Sequence, residues 1–375
     1  MSPKCAAFLA TATACAFLFL AACGGGGGGG GDGGGGSPPS QPAPQPQQSE
    51  PGIPPSEVLA QYVAVDLHPS AYAFTLGWGI GDGEQAGQSD ISRASPSVIH
   101  ALLWRGSASS VVDLHPNGFT ISVARATSGG VQVGSGNPAG QATHALKWLG
   151  SAGSVVDLHP SGFVGSQALS IGGDQIVGLG VVQFDISDIN HALLWTSGAV
   201  VDLHPSGFAT SAARGTDGRQ QVGSGANPNG PGFISHALLW TGNAASVVDL
   251  HPASGYSSTN ALALSGGQQV GEGFIGSNPH ALLWTGSAGS VVDLNPSGFF
   301  QSSAQGVAAG RQVGYGITTA GSRHALLWNG TADSVVDLHV FLPAGFATSQ
   351  ASGIDASGNV IGIADGHAIL WVRQR

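Results

Sequence analysis

HALLWTGNAASVVDLHP, residues 236–252, contains two short words that return throughout the chain. The first word occurs seven times with small changes, and its copies begin at His100, His144, His191, His236, His280, His324 and His367. The second word, VVDLHP, also occurs seven times with small changes, around Asp66, Asp113, Asp157, Asp202, Asp249, Asp293 and Asp337. The copies of HALLW are 43 to 47 residues apart, which indicates a repeat architecture.

The two ends of the array indicate how the repeats close. Each internal HALLW is followed by a short Gly/Ser segment and then VVDLH, a pattern that predicts a hairpin of two strands. Residues 63–67 have no HALLW before them, and the last copy, ending at Trp371, has no VVDLH after it. These two strands would complete each other if the repeats lie on a circle. The sequence therefore predicts a seven-bladed β-propeller of four strands per blade, with residues 63–67 pairing with the C-terminal blade.

Each repeat of about 45 residues is assigned four strands, a to d, from the channel outward. In one repeat, residues 210–216 are predicted as strand a, residues 220–225 as strand b, HALLW as c and VVDLH as d. Strand a is rich in Ala, Ser and Gly, as a crowded channel requires. The tryptophans of the HALLW words are predicted to pack in the core, and Trp78 is the one outside them. A further set of aromatic residues is expected to fill gaps between blades: Phe119, Phe163, Phe208, Tyr256, Phe299 and Phe346.

Composition limits the class of partner. Charged residues form only 9% of the chain, glycine occurs 62 times, and the net charge is -10. The sequence has no Lys/Arg cluster that could neutralise phosphates, which argues against nucleic-acid binding. A propeller of residues 62–375 is long enough to bury a large core.

The N-terminus is typical of an export signal. Lys4 precedes an apolar stretch at residues 6–22 that is short for a membrane-spanning helix. Leu20, Ala21, Ala22 and Cys23 resemble the lipobox of bacterial lipoproteins, which implies a signal peptide at residues 1–22, cleavage before Cys23 and acylation of that residue. An ordinary secretory signal with an incidental cysteine is the alternative. Gly24 is not the aspartate of an inner-membrane retention signal, so the outer membrane or cell surface is favoured over the periplasm.

The segment that follows is predicted to be a disordered linker, residues 23–61. It is a polyglycine run and then a Pro-rich stretch, neither of which can bury enough apolar surface to fold. Cys5 and Cys15 would leave with the signal, so the mature propeller would carry no thiol. Thiol catalysis and Cys-ligated metal sites are therefore not expected.

The HALLW words, the GQQVG segments and the VVDL strands together resemble a family of bacterial extracellular repeat proteins named for a His-Ala-Phe signature. The resemblance covers the seven repeats and differs at the third residue, where Leu or Ile replaces Phe. It implies an extracytoplasmic location and a repeat class, and no reaction. The words are also loosely similar to WD-type propeller repeats, where His, Asp, Ser/Thr and Trp form hydrogen bonds within each blade. The WD dipeptide itself is absent.

All 13 histidines lie in the two repeated words, so none is singled out as a catalytic group. We predict that the repeated His and Asp residues satisfy backbone groups at one turn, with each Asp accepting hydrogen bonds at a strand end. A metal site built from Asp113, His115 and His100 is the alternative. We assign no catalytic residue, no metal site and no cofactor.

The connection between strands b and c varies most, from 4 to 12 residues. All b–c loops of a propeller emerge on one face, and binding residues are often carried on such loops. Recognition of a sugar, a peptide or a partner protein is predicted there, although tolerated loop variation is the alternative. FDISDI around Asp185 has oxygen ligands but matches no established calcium loop. The candidate binding residues are Asp90, Arg93, Phe184, Asp185, Asp188, Phe233, Glu272, Phe274, Tyr315 and Arg323.

The leading functional hypothesis is a lipid-anchored, non-catalytic scaffold for binding or adhesion, whose partners are the membrane and a glycan or surface protein. The first alternative is a polysaccharide hydrolase or lyase that uses two carboxylates among Asp90, Asp185, Asp188 and Glu272, which would have to share a cleft. The second alternative is a structural component of the cell envelope.

Overall fold

The computed structural model describes residues 62–91, 98–183, 189–197, 199–227 and 234–374, all within one compact unit, Ile53–Arg375. In these ranges 28 strands form seven four-stranded antiparallel sheets. The innermost strands of consecutive sheets contact one another around a ring, and the last contacts the first. The predicted seven-bladed β-propeller is confirmed. Over the same ranges, no helix has the length and apolar character needed to cross a membrane. The predicted signal peptide, Cys23 and the linker lie outside the described residues.

Each blade takes its strands in the order a, b, c, d from the channel outward. Blades 1 and 2 contain β2 (Phe74–Gly81), β3 (Glu84–Asp90), β4 (Ile99–Trp104), β5 (Val112–Asp113), β6 (Phe119–Ser128), β7 (Val131–Pro138), β8 (His144–Trp148) and β9 (Val156–Asp157). Blades 3 and 4 contain β10 (Gly165–Gly172), β11 (Gln175–Gln183), β12 (Ile189–Trp195), β13 (Val200–Asp202), β14 (Thr210–Thr216), β15 (Gln221–Asn227), β16 (Ile234–Trp240) and β17 (Val248–Asp249). Blades 5 and 6 contain β18 (Thr259–Ser265), β19 (Gln268–Ile275), β20 (Asn278–Trp284), β21 (Val292–Asp293), β22 (Phe299–Ala308), β23 (Arg311–Thr318), β24 (Arg323–Trp328) and β25 (Val336–Asp337). Blade 7 contains β26 (Ser349–Ile354), β27 (Val360–Ala364), β28 (His367–Arg373) and β1 (Tyr62–Asp66).

The N-terminal strand closes the ring. β1 is strand d of blade 7, because it pairs antiparallel with β28 and places Val65 opposite Leu370. The ladder extends one residue further, where the Leu67 N–H donates to the Ala368 carbonyl at 2.9 Å. Closure leaves the C-terminal blade with the same four strands as the others, as the two unpaired words predict.

The apolar core is divided into seven clusters, and each lies between two adjacent blades. The cluster between blades 7 and 1 joins Leu67, Trp104 and Ile361, which are all fully buried. The six aromatic residues of the turns after strand d each pack against one such cluster, as predicted from the sequence. The apolar core of the described residues therefore consists of contacts between neighbouring blades and not of one central cluster.

The glutamine that opens strand b satisfies the hairpin between strands c and d. In blade 4, Gln221 Oε1 accepts the Gly242 N–H at 2.8 Å. Equivalent bonds occur from Gly106 to Gln85, from Gly150 to Gln132, from Gly286 to Gln269 and from Gly330 to Gln312. Ile176 replaces the glutamine in blade 3, whose hairpin is two residues shorter and is closed by the Thr196 N–H bonding to Ala199. Val360 replaces it in blade 7, which has no such hairpin because β1 supplies strand d. Glutamine is therefore present in the five blades whose c–d hairpin has a glycine N–H that needs an acceptor, and it is replaced in the two blades without that hairpin.

Replacing Leu67 by alanine tests ring closure on the strand that closes it. Leu67 directly follows β1 and is 0% exposed in the core cluster between blades 7 and 1, so Leu67→Ala should lower the free energy of unfolding by about 2–5 kcal/mol in urea denaturation. Val63 lies in β1 and is 50% exposed, so Val63→Ala should change that free energy by less than about 0.5 kcal/mol. Similar small effects from both substitutions would mean that β1 is not docked.

Candidate functional site

The repeated histidines and aspartates form one hydrogen-bonded unit at each junction between blades. At the first junction, His100 Nδ1 lies 2.7 Å from Asp113 Oδ2, and Asp113 Oδ1 accepts the His115 backbone N–H at 2.8 Å. The two imidazole rings stack with centroids 3.9 Å apart and an interplanar angle of 4°. Strands c and d of blade 1 and the turn into blade 2 are thereby joined.

A buried hydroxyl extends this unit into the next blade. Ser122, on strand a of blade 2, accepts the Ala101 N–H of blade 1 at 3.0 Å, and its Oγ lies 2.8 Å from His115 Nδ1. His115 Nε2 lies 3.1 Å from the Phe119 carbonyl, which can only accept. Nε2 therefore carries the proton, and Nδ1 accepts from the serine hydroxyl. We call each such set of His, Asp, His or Asn, and Ser or Thr an interblade clamp.

One clamp carries a natural substitution that tests this assignment. Asn295 stands where the other six clamps have the second histidine. Its Nδ2 donates to the Phe299 carbonyl at 3.1 Å, and its Oδ1 accepts from the Ser302 hydroxyl at 2.7 Å. Asparagine thus reproduces one donor and one acceptor of a neutral imidazole protonated at Nε2. The position requires that pair of groups and no positive charge.

The clamp also joins the two ends of the chain. His367 Nδ1 lies 2.8 Å from Asp66 Oδ2, and the Thr75 hydroxyl accepts the Ala368 N–H at 2.9 Å. Each repeated Asp accepts the backbone N–H two residues later, as predicted. Asp113, His115 and His100 are joined by the clamp hydrogen bonds. In the described ranges, no three His, Cys, Asp or Glu side chains are placed to hold a metal ion.

Burial makes five clamp histidines poor bases. The pKa of each lies below the ordinary value of 6.5, first because the ring is desolvated and next because the stacked histidine disfavours a second positive charge. The five residues are His115, His159, His204, His251 and His339. Their lowered pKa agrees with the neutral tautomer that the hydrogen bonds indicate.

Half of the loop-face residues predicted from the sequence are described. Arg93, Phe184, Asp185, Asp188 and Phe233 lie outside the described residues. The prediction that they lie in loops is wrong for the five described residues, which all belong to strands b or c: Asp90, Glu272, Phe274, Tyr315 and Arg323. Asp90 is only 5% exposed, and its Oδ1 accepts the Val98 N–H across the base of the b–c loop at 3.3 Å. The Phe274 N–H donates to the Ser258 carbonyl at 2.9 Å.

Glu272, Tyr315 and Arg323 belong to one polar cluster that crosses blades 5 to 7. Glu272 Oε2 accepts from the Ser303 hydroxyl of the next blade at 2.7 Å. The Arg323 guanidinium lies 4.8 Å above the Tyr315 ring, and its Nη1 donates to Gln350 Oε1 at 3.0 Å. We call these five residues the b–c cluster. It offers an exposed cation stacked on an aromatic ring beside a carboxylate.

The electrostatics of this cluster keep its phenol neutral. Burial is the main cause that raises the pKa of Tyr315, and the carboxylate of Glu272 raises it further, while Arg323 and a hydrogen bond to Ser303 lower it. A neutral Tyr315 beside Arg323 is a stacking surface and a hydrogen-bonding group rather than a base.

The structure does not bring the described candidate carboxylates together. Asp90 belongs to blade 1 and Glu272 to blade 5, which are not neighbours in the ring. Each is also engaged locally, Asp90 with the Val98 N–H and Glu272 with Ser303 and Asn260. A glycosidase pair would have to face a common cleft. Asp185 and Asp188, the other members of that hypothesis, lie outside the described residues.

The channel holds a set of residues that sequence analysis missed. In every blade the pairing of strands a and b skips one residue of strand a, which forms a β-bulge near the channel. A Cβ on the QVG glycine opposite, such as Gly134, would collide with the backbone oxygen of Val123, so the bulge and the glycine require each other. We call the skipped residues the bulge ring: Trp78, Arg125, Leu169, Arg214, Leu262, Gln305 and Ser352.

All seven residues of the bulge ring line one cavity of about 200 Å³ in the channel. The Arg125 guanidinium lies 5.0 Å above the Trp78 ring, whose Nε1 donates to Gln88 Oε1 at 3.1 Å. When the repeats are aligned, this column holds five residue types among seven blades, and only Trp78 stood out in the sequence. The alignment alone does not show that the column faces the channel, because that depends on the bulge.

Comparison with known proteins supports the fold and no activity. No family model and no curated protein sequence matches the chain. Solved structures that it resembles include a puromycin-hydrolysing peptidase of Mycobacterium tuberculosis (14% identity, TM-score 0.53, covering 82% of this chain and 53% of that one) and Pyrococcus horikoshii acylaminoacyl peptidase (11%, TM-score 0.53, 83% and 53%). A third similar structure is a prolyl endopeptidase (10% identity, TM-score 0.53, covering 78% of this chain and 47% of that one). The chain spans about half the length of each of these three proteins.

The lowered histidine pKa values predict acid sensitivity with a defined sign. Below pH 6.5 the unfolded chain protonates these histidines before the folded chain does, so the free energy of unfolding should fall as pH drops from about 7.5 to about 5.5. Substituting His115, His159, His204, His251 and His339 by asparagine keeps an acceptor for each clamp hydroxyl and removes the titrating group. This variant should lose most of the slope in urea denaturation across that pH range. An unchanged slope would contradict the neutral-histidine assignment.

Proposed function

We propose that this chain is a non-catalytic binding or adhesion scaffold of the cell envelope, anchored through acylated Cys23 and presenting the b–c face of the propeller to a glycan or surface protein. The lipobox-like segment supports the anchor, and the resemblance to the His-Ala-Phe repeat family supports an extracytoplasmic location. The outer membrane or the cell surface is the proposed site. The Gly- and Pro-rich residues 23–61 would connect the anchor to the propeller.

The observation that carries the proposal is the b–c cluster. The interblade clamps keep seven junctions nearly identical, whereas Glu272, Tyr315 and Arg323 occur in one sector only. Arginine stacked on tyrosine beside a carboxylate can recognise the hydroxyl groups of a sugar or the charged and aromatic side chains of a protein, which are the groups enriched at binding hot spots. Because clamps and core fix the strands, such a surface would be held in place before a ligand arrives.

A binding screen tests this proposal with the full-length chain in detergent on glycan and surface-protein arrays. Tyr315→Ala/Arg323→Ala should weaken binding to any ligand found by about tenfold or more, since two stacked binding groups are removed. Asp174→Ala/Arg219→Ala is the matched control, because both residues are exposed on the a–b turns of the opposite face. A second variant, with every b–c loop shortened to the two-residue turn at 365–366, should lose binding entirely.

The other outcomes distinguish the alternatives. If both variants bind as the parent chain does, the b–c face is not the binding surface. Release of new reducing ends from a bound polysaccharide would favour the hydrolase or lyase alternative. If the parent chain binds nothing on either array, the structural-envelope alternative is favoured and the binding proposal is wrong.

A further inference from the structure

We propose that Arg311 and Arg373 bind a phosphate dianion, free or as a monoester, at the a–b turn of blade 7 where the ring closes. Arg311 opens strand b of blade 6, Arg373 ends strand c of blade 7, and the turn connects β26 with β27. This site lies on the opposite face from the b–c cluster and does not depend on the function proposed for that face.

The two guanidinium groups converge on one residue of this turn. Gly358 has a φ of +89°, and a Cβ atom added there would lie 3.0 Å from Nη1 of Arg311 and 3.7 Å from Nη1 of Arg373. The Tyr62 hydroxyl donates to the Gly358 carbonyl at 3.1 Å, so β1 reaches the same point. Two positive charges this close repel each other, and an anion bound between them would offset that repulsion.

The charges around this point do not balance. In the described ranges, neither guanidinium group forms a hydrogen bond or an ion pair. Burial raises the pKa of Tyr62, Arg311 and Arg373 lower it, and Asp355 raises it, so two cations and one carboxylate act on the same phenol. Both oxygens of Asp355 accept from Asn359, one from its N–H and one from its Nδ2, each at 2.9 Å. One carboxylate can balance only one of the two arginines.

The other junctions show why this charge is local. In three blades the first residue of strand b accepts from a glutamine of the following blade, as Glu84 does from Gln132 Nε2 at 2.7 Å. Equivalent bonds run from Gln221 to Gln175 and from Gln312 to Gln268. Arg311 has this position in blade 6 but can only donate, and blade 7 has Val360 in place of the glutamine. A cation therefore replaces the polar contact at this junction.

The fold also forms a cavity beside the arginines. Blade 7 has no c–d hairpin, because β1 supplies its strand d. A cavity of about 480 Å³ lies beside β28 and is lined by Ala356, Ser357, Asn359, Val372 and Arg373. None of these five residues is acidic, and the exposed hydroxyl of Ser357 can donate to an anion.

Phosphate is the anion that fits this chemistry. Each guanidinium group presents a planar fork of donors that binds phosphate oxygens in pairs, and two forks from different strands can hold a tetrahedral group on two sides. A phosphate monoester carries about 1.5 to 2 negative charges at pH 7, whereas a carboxylate carries one. A free phosphate and a lipid headgroup present the same chemistry. The lipid source rests on the proposed anchor, because residues 23–61 join the propeller at Tyr62, beside this site.

Isothermal titration calorimetry of the full-length chain in neutral detergent, at neutral pH and fixed ionic strength, tests the site with inorganic phosphate. The parent chain should bind phosphate saturably, and Arg311→Gln/Arg373→Gln should weaken binding by about tenfold or more. Arg219→Gln is the matched control, because Arg219 is an exposed arginine on the a–b turn of blade 4, and it should bind as the parent does. Arg311→Lys/Arg373→Lys keeps the charge without the planar forks, so its affinity should lie between those of the parent and the glutamine variant.

Thermal unfolding provides a second measurement and shows that each variant is folded. Phosphate should raise the Tm of the parent chain and leave that of the glutamine variant unchanged, because a ligand stabilises only the folded state that binds it. Glycerol phosphate and the short-chain lipid dihexanoyl phosphatidic acid distinguish the two sources. Equal affinities would support a free phosphate, and tighter binding of the lipid by about tenfold or more would support a headgroup.

Four results would overturn the proposal. Phosphate could give no saturable heat with the parent chain, the folded glutamine variant could bind it as the parent does, or Arg219→Gln could weaken it as much as the double variant. Acetate that bound as tightly as phosphate would show a site for carboxylates instead. Tyr315→Ala/Arg323→Ala should keep phosphate binding, so failure of this site and failure of the b–c face are distinguishable.

Discussion

A single buried hydroxyl at each junction holds this ring together. Ser122 and its six counterparts are at most 2% exposed, and each lies on strand a of one blade while it accepts an N–H from strand c of the blade before. The same oxygen faces a clamp histidine or Asn295. A buried N–H that lost this partner would cost about 1–3 kcal/mol, so the hydroxyl fixes the position of one sheet against the next. The repeated words supply the side chains of this junction, which occurs seven times around the ring.

Ring closure and strand order could be predicted because they depend on local patterns. The unpaired strand at residues 63–67 and the unpaired HAILW word indicate closure without any knowledge of packing. The clamps could be predicted only in part. The sequence indicates that the histidines and aspartates satisfy backbone groups, but it does not show that Ser122 joins His115 across two blades, because that contact depends on how the sheets stack.

The b–c cluster and the bulge ring differ in how far the sequence could predict them. Variable loop length directed attention to the b–c connections, but Glu272 and Tyr315 lie inside strand b and Arg323 opens strand c. The arginines of the bulge ring escape this reasoning, because Arg125 and Arg214 lie within strand a and not at a loop of variable length. Only the register shift between strands a and b shows that this column lies at the channel. A repeat protein can therefore vary its loops and its channel independently, while clamps and interblade cores remain the same.

The central claim is that the interblade clamp that joins the two chain ends has the same structure as the clamps within the chain. A pair of double-mutant cycles tests this claim most directly. One cycle would couple His367 with Asp66, 301 residues apart in sequence, and the other would couple His100 with Asp113, which are 13 apart. Urea denaturation at neutral pH should give coupling energies of about 0.5–3 kcal/mol that agree between the two cycles. Coupling between His100 and Asp113 with none between His367 and Asp66 would show that the ring is open and would contradict the account.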